Sequence, residues 1–549
     1  MISPLDIPEI LSIIFDYLAP LSVHKLLMIN FDLSAFNIQL KTLYNLALVS
    51  RFWNALATPL LWHALPDAHD LWRLLPIDTW QVVQPATRTK SLVFTRPLCD
   101  ADWEHAIKVS RYVKCYGYVS DNVHPDMKQD TILASPPPFP LLPSLISLDF
   151  TSLGIQSDMA MLDIFLSPSV RMLGLREGNA NLLDNMDRIL QRCPSLEELV
   201  LKSVSPFSVP RVFAWRRGLA SLRSLTCATL DLRLLDRGAI YFVKELALID
   251  TLTTLSLSGC PHQLGPGEYM FKAPIIPPQR CWPRLFPALR VLRFHHVTIA
   301  FACAFMESWG GPRLIRTFTF HDPYRTARPD AVLMLMKCIG SHCAPKTLST
   351  LHISLLPRAR VDWCMHLDHL RPLSAHRALT SVKMSALKVS SLGDDEFETL
   401  AGWWPKLERL HLSNVLGAVC SSRTLVALRE HCPRLVELSI SLDMSGFVPA
   451  TSGDVPSVDD DEPSGTAATI AASEHSLRWL RVCRGCVFDP AGTAALLSAL
   501  FPQLTQIDYG GQFPGSGSDE LQDETGLAWE QVMRIMRAGR QVMVEKSGL

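Results

Sequence analysis

What this sequence has least of is charge of one sign. Over 549 residues, 52 Lys and Arg stand against 53 Asp and Glu, a formal net charge of −1. Such a balance gives no general attraction for nucleic acid or an anionic membrane. Charged residues of both signs reach only 19%, while apolar residues make up 48%, which fits a chain with extensive internal surface. Long hydrophobic runs are also missing: the richest stretch, Leu18 to Phe36, is broken by His24, Lys25 and Asp32, short of the ~20 apolar residues that cross a bilayer. Asp6 and Glu9 stand where a secretory signal would be uncharged. The expectation is a cytosolic or nuclear protein with neither membrane nor nucleic acid as partner. The 14 cysteines are scattered rather than packed into a short disulfide framework. Cys483-Arg-Gly-Cys486 has metal-like spacing, but no second pair follows, so a strand end and the next turn are its simpler reading. Catalytic signatures are missing as well: there is no Gly-x-Ser-x-Gly, no Gly-rich phosphate loop and no His-Glu-x-x-His. The close histidine pairs, His366/His369 and His295/His296, lack a carboxylate or Cys placed for a tetrahedral metal site. No enzyme, metal or cofactor is expected. A hydrolase built from distant residues would need a deep pocket with perturbed His or Asp groups.

What is present begins with a helical head, residues 1–65. Asp6 and Glu9 form a capping box with Pro8 in the first turn. Ile7, Leu11, Ile14 and Leu18 make one apolar stripe, and Ile10, Ile13 and Tyr17 a second. A further helix is predicted from about Thr42 to Ala57, with Leu43, Leu46, Val49, Trp53 and Leu56 inward and Pro59 closing it. Some 60 residues make a marginal core, and these helices carry more apolar faces than they can cover alone. The surplus has to dock on the rest of the chain or on another protein.

Ile7-Pro8-Glu9-Ile10-Leu11, followed by Ile14-Phe15 and Leu18, resembles the first helix of an F-box. Leu43, Leu46, Ala47-Leu48-Val49-Ser50-Arg51, Trp53 and Ala57 resemble its second half. The connection Ser22 to Lys41 is longer than usual for that family. The resemblance covers about the first tenth of the chain. It implies docking on the Skp adaptor of cullin–RING ubiquitin ligases through Ile7, Pro8, Leu11, Ile14, Phe15, Leu18, Leu46, Val49 and Trp53.

The rest of the chain repeats. Leu-x-x-Leu-x-Leu recurs at Leu196/Leu199/Leu201, Leu252/Leu255/Leu257, Leu289/Leu292/Phe294, Leu407/Leu410/Leu412 and Leu435/Leu438/Ile440. Weaker copies start at Leu145, Val170, Leu222, Ile315, Leu348, Leu379, Leu477 and Leu504, with Thr89 and Val113 opening two earlier ones. Neighbouring starts 26 to 28 residues apart have the period of leucine-rich repeats, each a strand plus a helix. Helical spacers are predicted at Asp184–Cys193, Ala331–Cys343, Arg423–Cys432 and Ala491–Phe501, the last capped by Asp489-Pro490. The expected fold class is α/β: a short all-α module, then over 66–510 an irregular solenoid, as in the fungal-type F-box proteins that it resembles. Its curved parallel sheet would carry the helices on the outside. The Ser-, Asp- and Pro-rich segment 451–474 reads as a disordered acidic insertion, with Ser457 and Ser464 beside its acids. Residues 511–549 read as a linker and a capping helix with Trp529, Val532, Ile535 and Met536 on one side.

Alternation along each strand points to a binding surface. If Leu410 and Leu412 face the core, Arg409, His411 and Ser413 face outward. The same register turns out Arg293, His295, Thr319, His321, His352, Lys383 and Arg481. Across the repeats from Arg293 to His411 this row would span roughly 20 Å. Its chemistry suits an acidic or phosphorylated segment of a target protein. The expected function is thus that of a substrate-recognition adaptor. The alternative is a leucine-rich-repeat interaction scaffold without a ligase.

Overall fold

The computed structural model describes Glu9, Leu11 and residues 13–15, 33–65, 68–83, 91–117, 129–137, 140–152, 158–177, 185–203, 216–232, 245–259, 285–322, 329–355, 365–385, 392–413, 420–445, 475–483, 485–509 and 519–547. The chain forms two compact units. One is Met1–Gln263 with Leu285–Ala288; the other is Leu264–Arg284 with Leu289–Leu549. Ile7, Pro8, Leu18, the acidic segment 451–474 and the linker 511–518 lie outside the described residues.

The first unit opens with α1 (Leu33–Ala47) and α2 (Arg51–Leu61). The single helix predicted over Thr42–Ala57 is therefore two. Ser50 divides them because its backbone is extended and its hydroxyl accepts the Trp53 N–H at 3.2 Å, an N-cap. Pro59 sits inside α2 rather than closing it. Leu11, Phe15, Leu43, Ala47 and Ala57 form the core of this head, and Leu46, Trp53, Leu56, Leu60 and Leu61 pack around it. Phe15 and Trp53 meet edge to face at 5.9 Å.

Seven parallel strands follow in strict chain order: β1 (Ala64–Leu65), β2 (Cys115–Gly117), β3 (Ser147–Ser152), β4 (Met172–Glu177), β5 (Glu198–Ser203), β6 (Cys227–Asp231) and β7 (Thr254–Ser258). Two expectations need correction. The copy at Thr89 does not join this ladder: Ser91–Phe94 pairs antiparallel with Trp80–Val83 in a separate ribbon, and β1 opens the ladder instead by pairing with β2. The copy at Leu222 starts three residues later, because Leu199 pairs with Ala228 and Leu201 with Leu230. The true inward set is Leu225, Ala228 and Leu230, all fully buried; a small Ala in the middle position hid it.

The second unit carries eight parallel strands, again in chain order: β8 (Val291–His295), β9 (Thr317–Asp322), β10 (Thr350–Leu355), β11 (Ser381–Ser385), β12 (Arg409–Ser413), β13 (Glu437–Ile440), β14 (Trp479–Val482) and β15 (Gln506–Tyr509). Leu292, Phe318, Leu351, Val382, Leu410, Leu438, Leu480 and Ile507 align across them in one register, all but Ile507 buried. Each fully buried side chain of this size contributes about 1.5–3 kcal/mol. Adding one parallel strand per repeat requires a crossover. Helices supply several: α3 (Ile299–Glu307), α4 (Pro329–His342), α5 (Asp394–Trp403), α6 (Ser422–His431) and α7 (Pro490–Leu500). This is a leucine-rich-repeat solenoid.

Its local rules are visible in the side chains. Cys432 caps α6 and its thiol reaches back to the carbonyls of Ala401 and Trp404 at 3.7 and 3.6 Å, so this Cys ties the helix end before β13 to the preceding repeat. Asp489 caps α7 by accepting from the N–H groups of Ala491 and Gly492, both at 3.0 Å. At Gly485 φ is +141° and a Cβ would lie 1.5 Å from the Leu442 carbonyl oxygen, so only glycine fits. The last strand is covered by α8 (Asp519–Ser547), through Trp529, Val532, Met533 and Met536. Ile535 is exposed; Met533 takes the inward place assigned to it by the spacing.

Candidate functional site

The outward positions of the second unit form ordered rows. Pairing sets Arg293, Thr319, His352, Lys383, His411, Ser439, Arg481 and Asp508 side by side. Two residues earlier in each strand, Ser381, Arg409, Glu437, Trp479 and Gln506 make a second row. Two residues later, His295 pairs with His321 and then Ser354. The structure thus brings all eight residues of the predicted set onto one ladder, in three rows rather than one. With strands ~4.8 Å apart, Arg293 and Lys383 are separated by roughly 14 Å. Among the described residues neither has a carboxylate within ion-pair distance.

The row is less charged than its composition suggests. Burial, then His321, Arg293, His296 and His352, push His295 down to about 4. Burial, then Lys383, lowers His352. For His411 burial is again the largest cause, and it outweighs the hydrogen bond and attraction from Glu437 that act the other way. Its contact with Glu437 at 3.2 Å is therefore a hydrogen bond of a neutral imidazole, although the distance alone would admit an ion pair. The cations of this face are Arg293, Lys383, Arg409 and Arg481, with Glu437 and Asp508 opposing them toward the C-terminal strands, while burial disfavours the charged form of His295, His352 and His411. The C-terminal side is more mixed. Trp479 lies against the His411 ring at 5.4 Å and donates its Nε1–H to Asp508 at 2.7 Å. That arrangement was not anticipated, although strand parity alone puts Trp479 beside Glu437.

The first unit has a polar outward pair that the sequence reading passed over. Arg176 Nη2 donates to Asp149 Oδ2 at 2.8 Å, beside Lys202. A Cβ at Gly174 would lie 2.8 Å from Asp149 Oδ1, so this glycine lets the carboxylate lie across it. Burial raises the Asp149 pKa despite the attraction of Arg176. Burial and then Arg176 lower that of Lys202.

In the helical head the predicted docking set separates. Leu11 and Phe15 are 0% and 2% exposed and belong to the head's own core. Leu46 and Trp53 are partly buried against it. Ile14 and Val49 are exposed, Val49 at 62% because it lies in the turn between α1 and α2. Ile13, Ile38, Tyr44, Leu48 and Phe52 are exposed with them. Of the eighteen large apolar residues exposed among the described residues, seven fall between residues 13 and 52.

His366 and His369 stack at 5.9 Å, and the His366 N–H donates to His369 Nδ1 at 3.1 Å, a local helix cap. The Cys483 sulfur contacts the Ser439 hydroxyl at 3.4 Å, whereas Cys486 is exposed. Among the described residues no group of three or more His, Cys, Asp or Glu is placed to hold a metal, and no helix is long and apolar enough to cross a membrane.

No family model and no curated protein matches the sequence. Among solved structures the chain is similar to the leucine-rich repeat-containing protein LegL7 from Legionella pneumophila, at 15% identity and a TM-score of 0.32, over 56% of this chain and 95% of that one. It is also similar to the Rad7 and Elc1 complex in yeast, at 15% identity and a TM-score of 0.31, over 66% of this chain and 83% of that one. The repeat fold stands on the strand ladder itself, not on these distant likenesses.

Proposed function

We propose that the chain is a non-enzymatic adaptor of a cullin–RING ubiquitin ligase, its head docking on the Skp adaptor and its second-unit ladder holding a target protein. The observation that carries the reading is the head's surplus of exposed apolar side chains, within the segment whose sequence resembles an F-box. Ile13, Ile14, Leu48, Val49 and Phe52 offer the area that a hydrophobic interface needs at its centre. The ladder contributes recognition. Its four cations favour an acidic or phosphorylated segment, since Arg and Lys pair with carboxylate and phosphate oxygens. Holding a target beside a ubiquitin-loaded enzyme raises its effective concentration without any side chain here touching the bond being made.

The test uses the full chain and a purified Skp–cullin assembly. Wild type should be captured, and Ile14→Glu with Val49→Glu should lose at least tenfold in affinity, about 1.4 kcal/mol, at unchanged circular dichroism. No capture of the wild type, or equal capture of the variant, refutes the adaptor reading; the former leaves a repeat scaffold without a ligase. Arg293→Glu, Lys383→Glu and Arg409→Glu together should abolish target capture while leaving the Skp–cullin interaction intact.

A further inference from the structure

Two neighbouring helices of the second unit bring together a pair of thiols, an imidazole and a cavity that target recognition does not use. Cys338 and His342 lie one turn apart on α4, hence on the same helix face. Cys303 comes from α3, 35 residues earlier. The Cys338 sulfur is 3.6 Å from the Cys303 carbonyl oxygen and 3.7 Å from His342 Nδ1. That same Nδ1 is 3.0 Å from the Cys338 carbonyl oxygen, which can only accept, so the proton sits on Nδ1 and is shared with the sulfur. The Cys338 thiol donates to the Cys303 backbone carbonyl, which sets the two cysteines on facing turns of neighbouring helices. Cys338, a buried residue at 5% exposure, and His342 stand in the wall of a cavity of about 470 Å³ together with Glu307, Lys337 and Ser341, a space large enough for a small solute.

We propose that Cys338 is a hydroperoxide-reactive thiol and that Cys303 is its resolving partner. The Cys338 thiolate attacks one peroxide oxygen: an S–O bond forms, the O–O bond breaks, and the leaving oxygen takes a proton to become water or an alcohol. The Cys303 sulfur then attacks the sulfenic sulfur; an S–S bond forms, the S–O bond breaks, and the departing hydroxide leaves as water with the Cys303 proton. Two thiols are oxidised by two electrons and one hydroperoxide is reduced.

The electrostatics agree with these roles. The hydrogen bond from Cys303 lowers the Cys338 thiol first; burial opposes it, the His342 contact reinforces it, and Glu307 opposes more weakly. Cys303 is raised, first by its bond to Cys338 and then by burial, as befits the thiol that keeps its proton until the second step. The other buried thiols differ in kind. Burial pushes Cys115, Cys193, Cys420 and Cys432 up to about 12 and leaves them protonated and inert. The resulting disulfide would join the helices behind β8 and β9, the strands that carry Arg293, His295 and His321.

The full-length protein, exposed to hydrogen peroxide at about pH 6.5, where an ordinary thiol is about 1% thiolate, and mapped by site-resolved mass spectrometry, tests this. Cys338 should oxidise at least about threefold faster than the exposed Cys99 and Cys486, a modest margin because nucleophilicity falls with pKa. The product should be a Cys303–Cys338 disulfide. Cys303→Ser should instead leave a dimedone-trappable sulfenic acid on Cys338, and His342→Gln should move the pH midpoint of the Cys338 rate upward. Iodoacetamide alkylation of the wild type, which needs no variant to fold, should show a Cys338 midpoint below about 7. A midpoint at or above that of an ordinary thiol, oxidation no faster than at Cys99, or no dimedone adduct in a folded Cys303→Ser protein overturns the assignment.

Discussion

Acid should destabilise the second unit through His295, and the amount can be worked out. Its folded pKa is held at about 4 by burial first, and then by His321, Arg293, His296 and His352, whereas an unfolded histidine titrates near 6.5. The folded state therefore binds fewer protons than the unfolded one between these values. The sign follows: stability is full above about pH 6.5 and falls as the pH drops toward 4. Linkage over that interval gives about 2 kcal/mol lost between pH 7.5 and 5. Because the ring is only partly buried, solvent screening brings this to about 1–2 kcal/mol. His295→Gln keeps the size and polarity but cannot titrate, so the variant should lose that much less than wild type over the same interval. Urea unfolding followed by circular dichroism at the two pH values measures the difference, and any pH-independent cost of the substitution cancels. His63, His352, His369, His376, His411 and His475 are also lowered, with burial the largest cause at each, so both proteins keep a common acid sensitivity. His342, raised first by its contact with Cys338, acts in the opposite sense. Equal pH responses of variant and wild type, within about 0.5 kcal/mol, would refute the claim that this ring is held neutral. Protonation of His295, His352 and His411 adds charge to the Arg293–Arg481 face, so an acidic ligand should bind more tightly at pH 5 than at pH 7.5 to the folded protein.

Three further outcomes are expected. Asp394 accepts from the Ser421 N–H at 2.9 Å, the Ser421 hydroxyl at 2.6 Å and the Thr424 hydroxyl at 2.7 Å; burial would raise its pKa, but these bonds together lower it. Asp394→Asn should cost about 1.5–3 kcal/mol in urea unfolding near pH 7, and the wild type's advantage should fade as the pH falls through the lowered carboxyl value. Leu410→Ala, in the fully buried register row of the ladder, should cost about 2–5 kcal/mol by the same assay. Gly485→Ala drives a methyl into the Leu442 carbonyl at a left-handed φ; its thermal midpoint should drop by at least as much as that of Leu410→Ala, and an unchanged midpoint would show that the turn relaxes freely.

Most of the ladder was legible because its signal is local and repeated. Leu407/Leu410/Leu412 and Leu435/Leu438/Ile440 lie 28 residues apart, and their strands pair Leu410 with Leu438 in register; the spacing alone sets which side chains turn inward. The same parity placed Arg293, Lys383 and Arg409 outward. Where the pattern misleads, a single residue's size or a single local hydrogen bond overrides it. Leu225, Ala228 and Leu230 carry the inward positions of β6 with one small residue, so the stronger-looking Leu222 drew the register three residues early. The break between α1 and α2 depends on one hydroxyl, Ser50 Oγ, competing for a backbone N–H, whereas the apolar spacing runs on uninterrupted through Val49 and Trp53.

Charge was the least legible property, because a pKa depends on neighbours from other repeats. His295 and His411 look alike as outward histidines on repeat strands. Yet the neighbours of His295 are His321, His296, His352 and Arg293, whereas His411 has Glu437 within hydrogen-bond reach. Burial is the largest cause at both and sets the same direction; Glu437 works against it only at His411. An incoming carboxylate or phosphate beside His295 would supply what Glu437 supplies to His411, a proton acceptor and an opposing charge. Binding there should therefore be accompanied by proton uptake between about pH 4 and 6.5, whereas a ligand seated over His411 should take up fewer protons. Calorimetric titration in buffers of different ionisation enthalpy separates the two. Uptake that persists undiminished in His295→Gln would place the anion away from the N-terminal end of the row.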